Sequence, residues 1–347
     1  MTTARSALLS VGLPRRAVLA GLGAATAAVA APGLTAITPR QRIIIDNDFG
    51  GDPDGLFQLA HHLASPSVEI ALIVGTHLHA KDAFDPEPGQ ADRAAQRARQ
   101  LAALAGVAHV PPMVAGSNQA LDAGMKPTPA SARIVAEVMR HDSRQPLFYA
   151  AGASLTELAA AHKLEPAIGK RLRLVWIGGA EHDDLWPGRP VRQDAEYNLT
   201  IDAPAARYIF NETDIEIWQV PRDTYRQMLI SHAELERGLA AAGKLGAYLL
   251  ERVDAVGAMA NRAGLNIGET YILGDSPLVT LTALQSSFEA DSSSSDYVIK
   301  PTPWLDEAGR YTPRPQARPM RVYKTIDTRL TFADMFAKLA QLAAAHR

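Results

Sequence analysis

The sequence predicts an α/β fold: a single large domain on a mainly parallel sheet with helices on both faces. Two observations predict it. Short, nearly continuous apolar runs alternate with longer amphipathic stretches, as when strands buried on both faces are joined by crossover helices. The chain is also long, 347 residues with 47% apolar and 21% charged, which suits a large core and not a disordered chain.

The elements follow in order. LPRRAVLAGLGAATAAVAAPG opens with Arg15 and Arg16, continues as a mild apolar run and reaches the small residues Ala28, Val29 and Ala30. That is the pattern of a twin-arginine export signal with a cleavage site. Residues 1–36 are therefore read as signal peptide and linker and 40–347 as the folded domain, exported to the periplasm or secreted. The run is too short and too rich in alanine and glycine for a permanent membrane span. RIIID then reads as a buried strand, Gly55 to Ala64 as a helix stopped near SPS, and VEIALIVGT as a second strand. GQADRAAQRARQLAALAG is a helix closed by a glycine. VPPMVAG, PLFYAAG, LRLVWIGGA and IEIWQVP are further β-rich runs, with helices such as LTELAAAHK between them. QSSFEADSSSSDY, GRPVRQ and RYTPRPQARPMR read as surface loops.

Composition excludes several functions. A net charge of −2 offers nothing to a nucleic-acid polymer. The absence of cysteine removes disulfides, thiolate metal sites and a cysteine nucleophile.

The chemistry gathers where the first strand meets the first helix. IIIDNDFGGDPDGLFQLAHHL places Asp46, Asp48, Asp52 and Asp54 on one short connection. Gly50 and Gly51 let that connection fold tightly, through backbone conformations closed to other residues. Carboxylates so confined repel one another unless something positive binds, and a hard divalent cation with oxygen ligands is the simplest partner. Complementing the helix dipole explains Asp54, but not acids further upstream. An EF-hand fails, because its twelfth position falls on Phe57. A haloacid dehalogenase-type phosphatase also begins with a strand and Asp-x-Asp, and stays as an alternative.

The longer spacing Asp46-Asn47-Asp48-Phe49-Gly50-Gly51-Asp52-Pro53-Asp54-Gly55 resembles the N-terminal signature of the inosine–uridine-preferring nucleoside hydrolases. Four more stretches resemble that family in the same order. They are RAAQRARQLAALAGVAHVPPMVAGSNQAL, the segment from LFYAAGASLTE to RLVWIGGA, AEYNLTIDAPAARYIF and GDSPLVTLTAL. The likeness runs from about Arg42 to the C-terminus. It implies a Rossmann-like nucleoside hydrolase fold and cleavage of the N-glycosidic bond of a riboside, with Ca2+ holding the sugar diol and a water. By position it implies Asp48, Asp52, Asp275 and the Ala151 carbonyl at the metal, and Asp54 as general base. It implies Glu196 and Asn198 on the sugar hydroxyls, their side chains on one side of an extended segment. His79, in THLHAKD, is the candidate leaving-group acid, and Trp186 with Tyr197 the candidate stacking residues.

Some positions depart from the family pattern. Gly55 stands where a bidentate carboxylate is expected, Gly274 where an acid histidine is common, and Pro190 where a sugar-binding asparagine is expected. A sugar- or nucleoside-binding protein without efficient catalysis is the alternative these departures raise. The partner is a small riboside in either case, and homo-oligomerisation stays open.

Overall fold

The computed structural model describes residues 37–120, 126–189, 192, 194–286 and 294–345. The stretch read as an export signal and Pro190 lie outside them, as does much of QSSFEADSSSSDY. The chain begins β1 (Gln41–Asn47), α1 (Asp54–Leu63), β2 (Val68–Gly75), α2 (Gln90–Ala105) and β3 (Met113–Ala115). It continues α3 (Pro129–Val138), β4 (Leu147–Ala151), α4 (Thr156–Leu164), β5 (Arg173–Ile177), α5 (Tyr197–Ile201), α6 (Ala203–Glu212) and β6 (Glu216–Val220). Then come α7 (Arg222–Tyr225), β7 (Leu229–Ser231), α8 (His232–Leu239), α9 (Gly243–Arg262), β8 (Thr270–Ile272) and α10 (Pro277–Thr282). The last elements are β9 (Tyr297–Pro301), β10 (Trp304–Leu305), β11 (Tyr311–Thr312), β12 (Pro319–Tyr323) and α11 (Thr328–Ala345).

Eight strands form the main sheet in the order β3-β2-β1-β4-β5-β6-β12-β9. Every neighbouring pair is parallel except β12 with β9. The Ile43–Ile45 run explains β1. Ile43 and Ile45 join the core on one face and Ile44 the core on the other, all fully buried, as the two-residue period of a doubly covered strand requires. α2 turns Ala91, Ala94, Ala95, Ala98 and Leu101 inward and ends at Gly106 with φ 65°, the left-handed conformation glycine adopts without strain.

One stretch departs from its sequence reading. RYTPRPQARPMR is not all loop, because its end becomes β12, inside the sheet. Pro319 stands at the first position of that strand, where a missing N–H is tolerated. Arg321 lies over the rings of Trp218 and Tyr297, at 4.1 and 4.4 Å. Arg318 and Arg314 donate to the Ile209, Phe210 and Asn211 carbonyls at the end of α6, the acceptors a helix C-terminus leaves open. The arginines that mimic a solvated loop are thus capping and stacking groups.

Strand order reverses between β1 and β4. Ligands of open parallel sheets bind outside the strand carboxyl ends at such a reversal. Asp48 follows β1 there, and Gly152 follows β4.

Candidate active site

An acid cavity of about 220 Å³ lies at this switch point. Asp48, Asp52, Asp54 and Asp275 line one side, Glu196, Asn198 and Gly152 another, and Leu78, Phe84, Tyr197 and Tyr225 complete the wall. The acids predicted from the sequence are therefore brought together, although Asp275 is remote in the chain. A neighbouring cavity of about 210 Å³, beyond Gly51 and Phe84, is lined by Arg97, Arg252 and Arg262 and holds no carboxylate. It offers neither base nor hard-cation ligand.

The connection after β1 is held from within. The Asp48 carbonyl accepts the Gly51 N–H at 2.6 Å, and Asp52 Oδ1 accepts the Asp54 N–H at 3.1 Å, where α1 begins. Neither Gly50 nor Gly51 has a positive φ, so the conformational reason given for them is corrected. Space is the reason at Gly51, where a Cβ would stand 3.0 Å from the Leu78 side chain. Asp46 is not part of the cavity. It points to the opposite face of β1, fully buried, and accepts the Tyr149 hydroxyl at 2.5 Å.

Like charges and burial act on the acids together. Burial, then the charges of Asp275 and Asp52, holds the Asp48 carboxyl well above the ordinary range. The same causes in the same order raise Asp54. Burial also raises Asp275, opposed by the Asn47 amide and reinforced by Asp52. This donor set of hard, crowded carboxylate oxygens suits a divalent cation. Among the described residues no three acids or histidines are arranged to hold a metal ion as they stand, in keeping with glycine at 55. Ala151 ends β4, fully buried, and its neighbour Gly152 lines the cavity.

Glu196 and Asn198 are not on an extended segment, which corrects that expectation. Glu196 caps α5, its Oε2 accepting the Gly179 and Leu199 N–H groups at 2.7 and 2.9 Å. Its Oε1 takes the Asn198 N–H at 3.1 Å and the Tyr225 hydroxyl at 2.9 Å. A carboxylate followed by helix-forming residues closes on their free N–H groups and turns the chain. Asn198 donates both amide hydrogens, to the Gly152 and Ile177 carbonyls at 2.9 Å each. What it offers a ligand is Oδ1.

His79 lies just outside the lining. Its Nε2 is 3.2 Å from Thr200 Oγ1 and its ring stands edge-on to Tyr197 at 4.8 Å. Trp186 is not brought to the cavity wall; Arg189 and Lys324 lie over its ring at 4.1 and 4.7 Å. His61 and His62 are buried in α1, on Asp334 and Thr282.

The sequence reading missed three groups. Tyr225 lines the cavity beside Gly274, where an added Cβ would come within 3.3 Å of its ring. Tyr271 lies beside Asp52 and Asp54, and burial, then their charges, raises its pKa. Asn47 contacts Asp275. Phenol–carboxylate pairing across distant loops leaves no local pattern to read.

The comparisons with known proteins bear on family and fold. The family model described as inosine-uridine preferring nucleoside hydrolase matches residues 43–329. The inosine-uridine preferring nucleoside hydrolase of Leishmania major is 28% identical over 242 residues, 62% of this chain and 70% of that protein. The Crithidia fasciculata enzyme of the same name is also 28% identical, over 246 residues, with the same two shares. A plant nucleoside hydrolase superposes with a TM-score of 0.65 at 19% identity, covering 87% of this chain and 99% of its own. The inosine-uridine preferring enzyme of Bacillus anthracis superposes with a TM-score of 0.61 at 18% identity, over the same shares. These likenesses overturn the phosphatase alternative. The chain belongs to the inosine-uridine preferring nucleoside hydrolase family.

Proposed function

We propose that this protein is a calcium-dependent hydrolase that cleaves the N-glycosidic bond of ribonucleosides in the acid cavity at the β1/β4 switch point. Family membership carries the reaction class. The single structural observation that carries the site is the convergence of Asp48, Asp52, Asp54 and Asp275 on one cavity with Glu196 and Asn198. Asp48 and Asp275 would hold the ion, with Asp52 and the carbonyl of Ala151 as its further oxygen donors. A bound divalent cation lowers the pKa of water and fixes a sugar diol.

The chain's own residues do the rest. Asp54 takes a proton from the attacking water. Burial and the neighbouring acids raise its affinity for that proton. A C–O bond forms at the anomeric carbon as the C–N bond breaks; the nucleobase leaves with the bonding pair and takes a proton from solvent, to which Asp54 returns the one it accepted. Positive charge grows on the sugar ring in between, and the surrounding carboxylates stabilise it. Asn198 Oδ1 accepts from a sugar hydroxyl, and Tyr197 and Phe84 supply the apolar wall.

Release of free base from inosine and uridine tests the reading. Turnover that EDTA abolishes and calcium restores is the expected result. Tight nucleoside binding without release would favour the binding-protein alternative, which rests on glycine at 55 and 274. Export by the twin-arginine route is part of the proposal, supported by Arg15, Arg16, the Ala28–Ala30 cleavage pattern and the lack of cysteine. Replacing both arginines by lysine should leave the full-length chain in the cytoplasmic fraction; unchanged export would refute it.

A further inference from the structure

We infer that Asn47 is the positioning residue of the acid cavity: its amide, seated between Gly55 and Gly152, fixes Asp275 against Asp48. The inference rests on the reading of Asp48 and Asp275 as the ion's ligands and Asp54 as the base. Asn47 is fully buried at the last position of β1, on the face that turns toward α1. Its Nδ2 donates to Asp275 Oδ2 at 2.8 Å and to Gln58 Oε1 at 3.2 Å. Its Oδ1 accepts the Asp48 N–H at 2.8 Å. That last bond fixes which way the amide faces, since the oxygen alone can accept from a backbone N–H.

The bonds continue with consistent polarity. Gln58 Nε2 donates to His62 Nδ1. The Thr282 hydroxyl donates to the Leu278 carbonyl at 2.6 Å, so the 2.9 Å contact with His62 has Nε2–H as its donor. The chain of bonds thus ties β1 to α1 and to α10, the helix that Asp275 precedes. Asp275 needs such a tie. The like charges of Asp48 and Asp52 push its carboxylate away, and Asn47 supplies a neutral donor without adding charge.

Two glycines make the seat. A Cβ on Gly152 would come 2.3 Å from Asn47 Nδ2, and one on Gly55 would come 3.0 Å from it. The missing carboxylate at 55 therefore has a physical counterpart, because the space toward which a side chain there would point holds the Asn47 amide.

The experiment is a double-mutant cycle on the mature protein. Asn47→Ala, Asn47→Asp, Gly152→Ala and Asn47→Ala/Gly152→Ala are compared with wild type. Calorimetric calcium titration of EDTA-stripped protein and steady-state kcat and KM are the readouts. Either Asn47 variant should lower kcat and weaken calcium binding by about tenfold or more, the weight of one hydrogen bond to a charged group. Asn47→Asp should not rescue, since it keeps the shape but lacks the donor. Gly152→Ala should cost far less in the Asn47→Ala background than in wild type, because the clash has gone. Kcat and calcium affinity within twofold of wild type in Asn47→Ala, or additive losses in the cycle, would overturn the inference. If wild type takes up no calcium, the metal reading fails by itself, and the kcat cycle still decides Asn47. Should Gly152→Ala not fold, Gly55→Ala probes the same seat with a smaller clash.

Discussion

At the scale of single residues, the structure separates an acid facing the cavity from one engaged throughout by protein donors. Asp54 is half-buried, crowded by Asp275 and Asp52, and faces the cavity. Asp54→Asn keeps the shape and removes proton acceptance, so kcat should fall by about two to four powers of ten in steady-state assays; unchanged turnover would move the base to Asp52. Glu196 belongs to the other class, with all its acceptor positions directed to protein donors. Glu196→Gln turns an amide N–H toward those donors, and urea denaturation should show a loss on the order of 1–3 kcal/mol in addition to any effect on KM. Unaltered stability would make Glu196 a substrate ligand first. His79 stands behind Tyr197, so His79→Ala should slow inosine and p-nitrophenyl riboside equally. A loss confined to inosine would restore it as leaving-group acid.

At the scale of elements, burial of neutral histidines couples packing to pH. His182, between β5 and α5, stacks on Tyr311 at 4.6 Å and meets Gln219 Oε1 at 2.9 Å. Burial pulls its pKa down to about 4, and the Lys300 charge assists, against Gln219 and Asp184. The unfolded chain takes up a proton near pH 6.5 and the folded chain does not until about pH 4. The contribution is therefore present above about pH 6.5 and is lost as pH falls from there toward 4. Thermal denaturation of His182→Gln across this interval should show a shallower decline in Tm than wild type; parallel curves would mean that His182 does not carry the dependence. The α5 turn has a similar lesson. Its cap is a glutamate, so the carboxylate expected on the sugar also bends the chain.

At the scale of the whole molecule, the fold was legible where physics leaves a local trace and obscure where it does not. Ile43–Ile45 and the runs now seen as β2, β4, β5 and β6 declare doubly buried strands through their apolar continuity. Asp48, Asp52 and Asp54 were legible because four acids on one connection demand a reason. β12 was not legible, since its proline and arginines act through stacking and capping in three dimensions. Asn47 was hidden for the same reason, because its partners are Gly55 and Gln58 of α1, Gly152 after β4 and Asp275 before α10, three separate parts of the chain. The most direct measurement is the rate of free-base release from inosine and uridine by mature wild type and Asp54→Asn, each stripped with EDTA and then supplied with calcium. The account predicts turnover in calcium-loaded wild type alone, with both the stripped enzyme and the variant lower by at least about a hundredfold. Equal rates with and without calcium, or equal rates for Asp54→Asn and wild type, would contradict it.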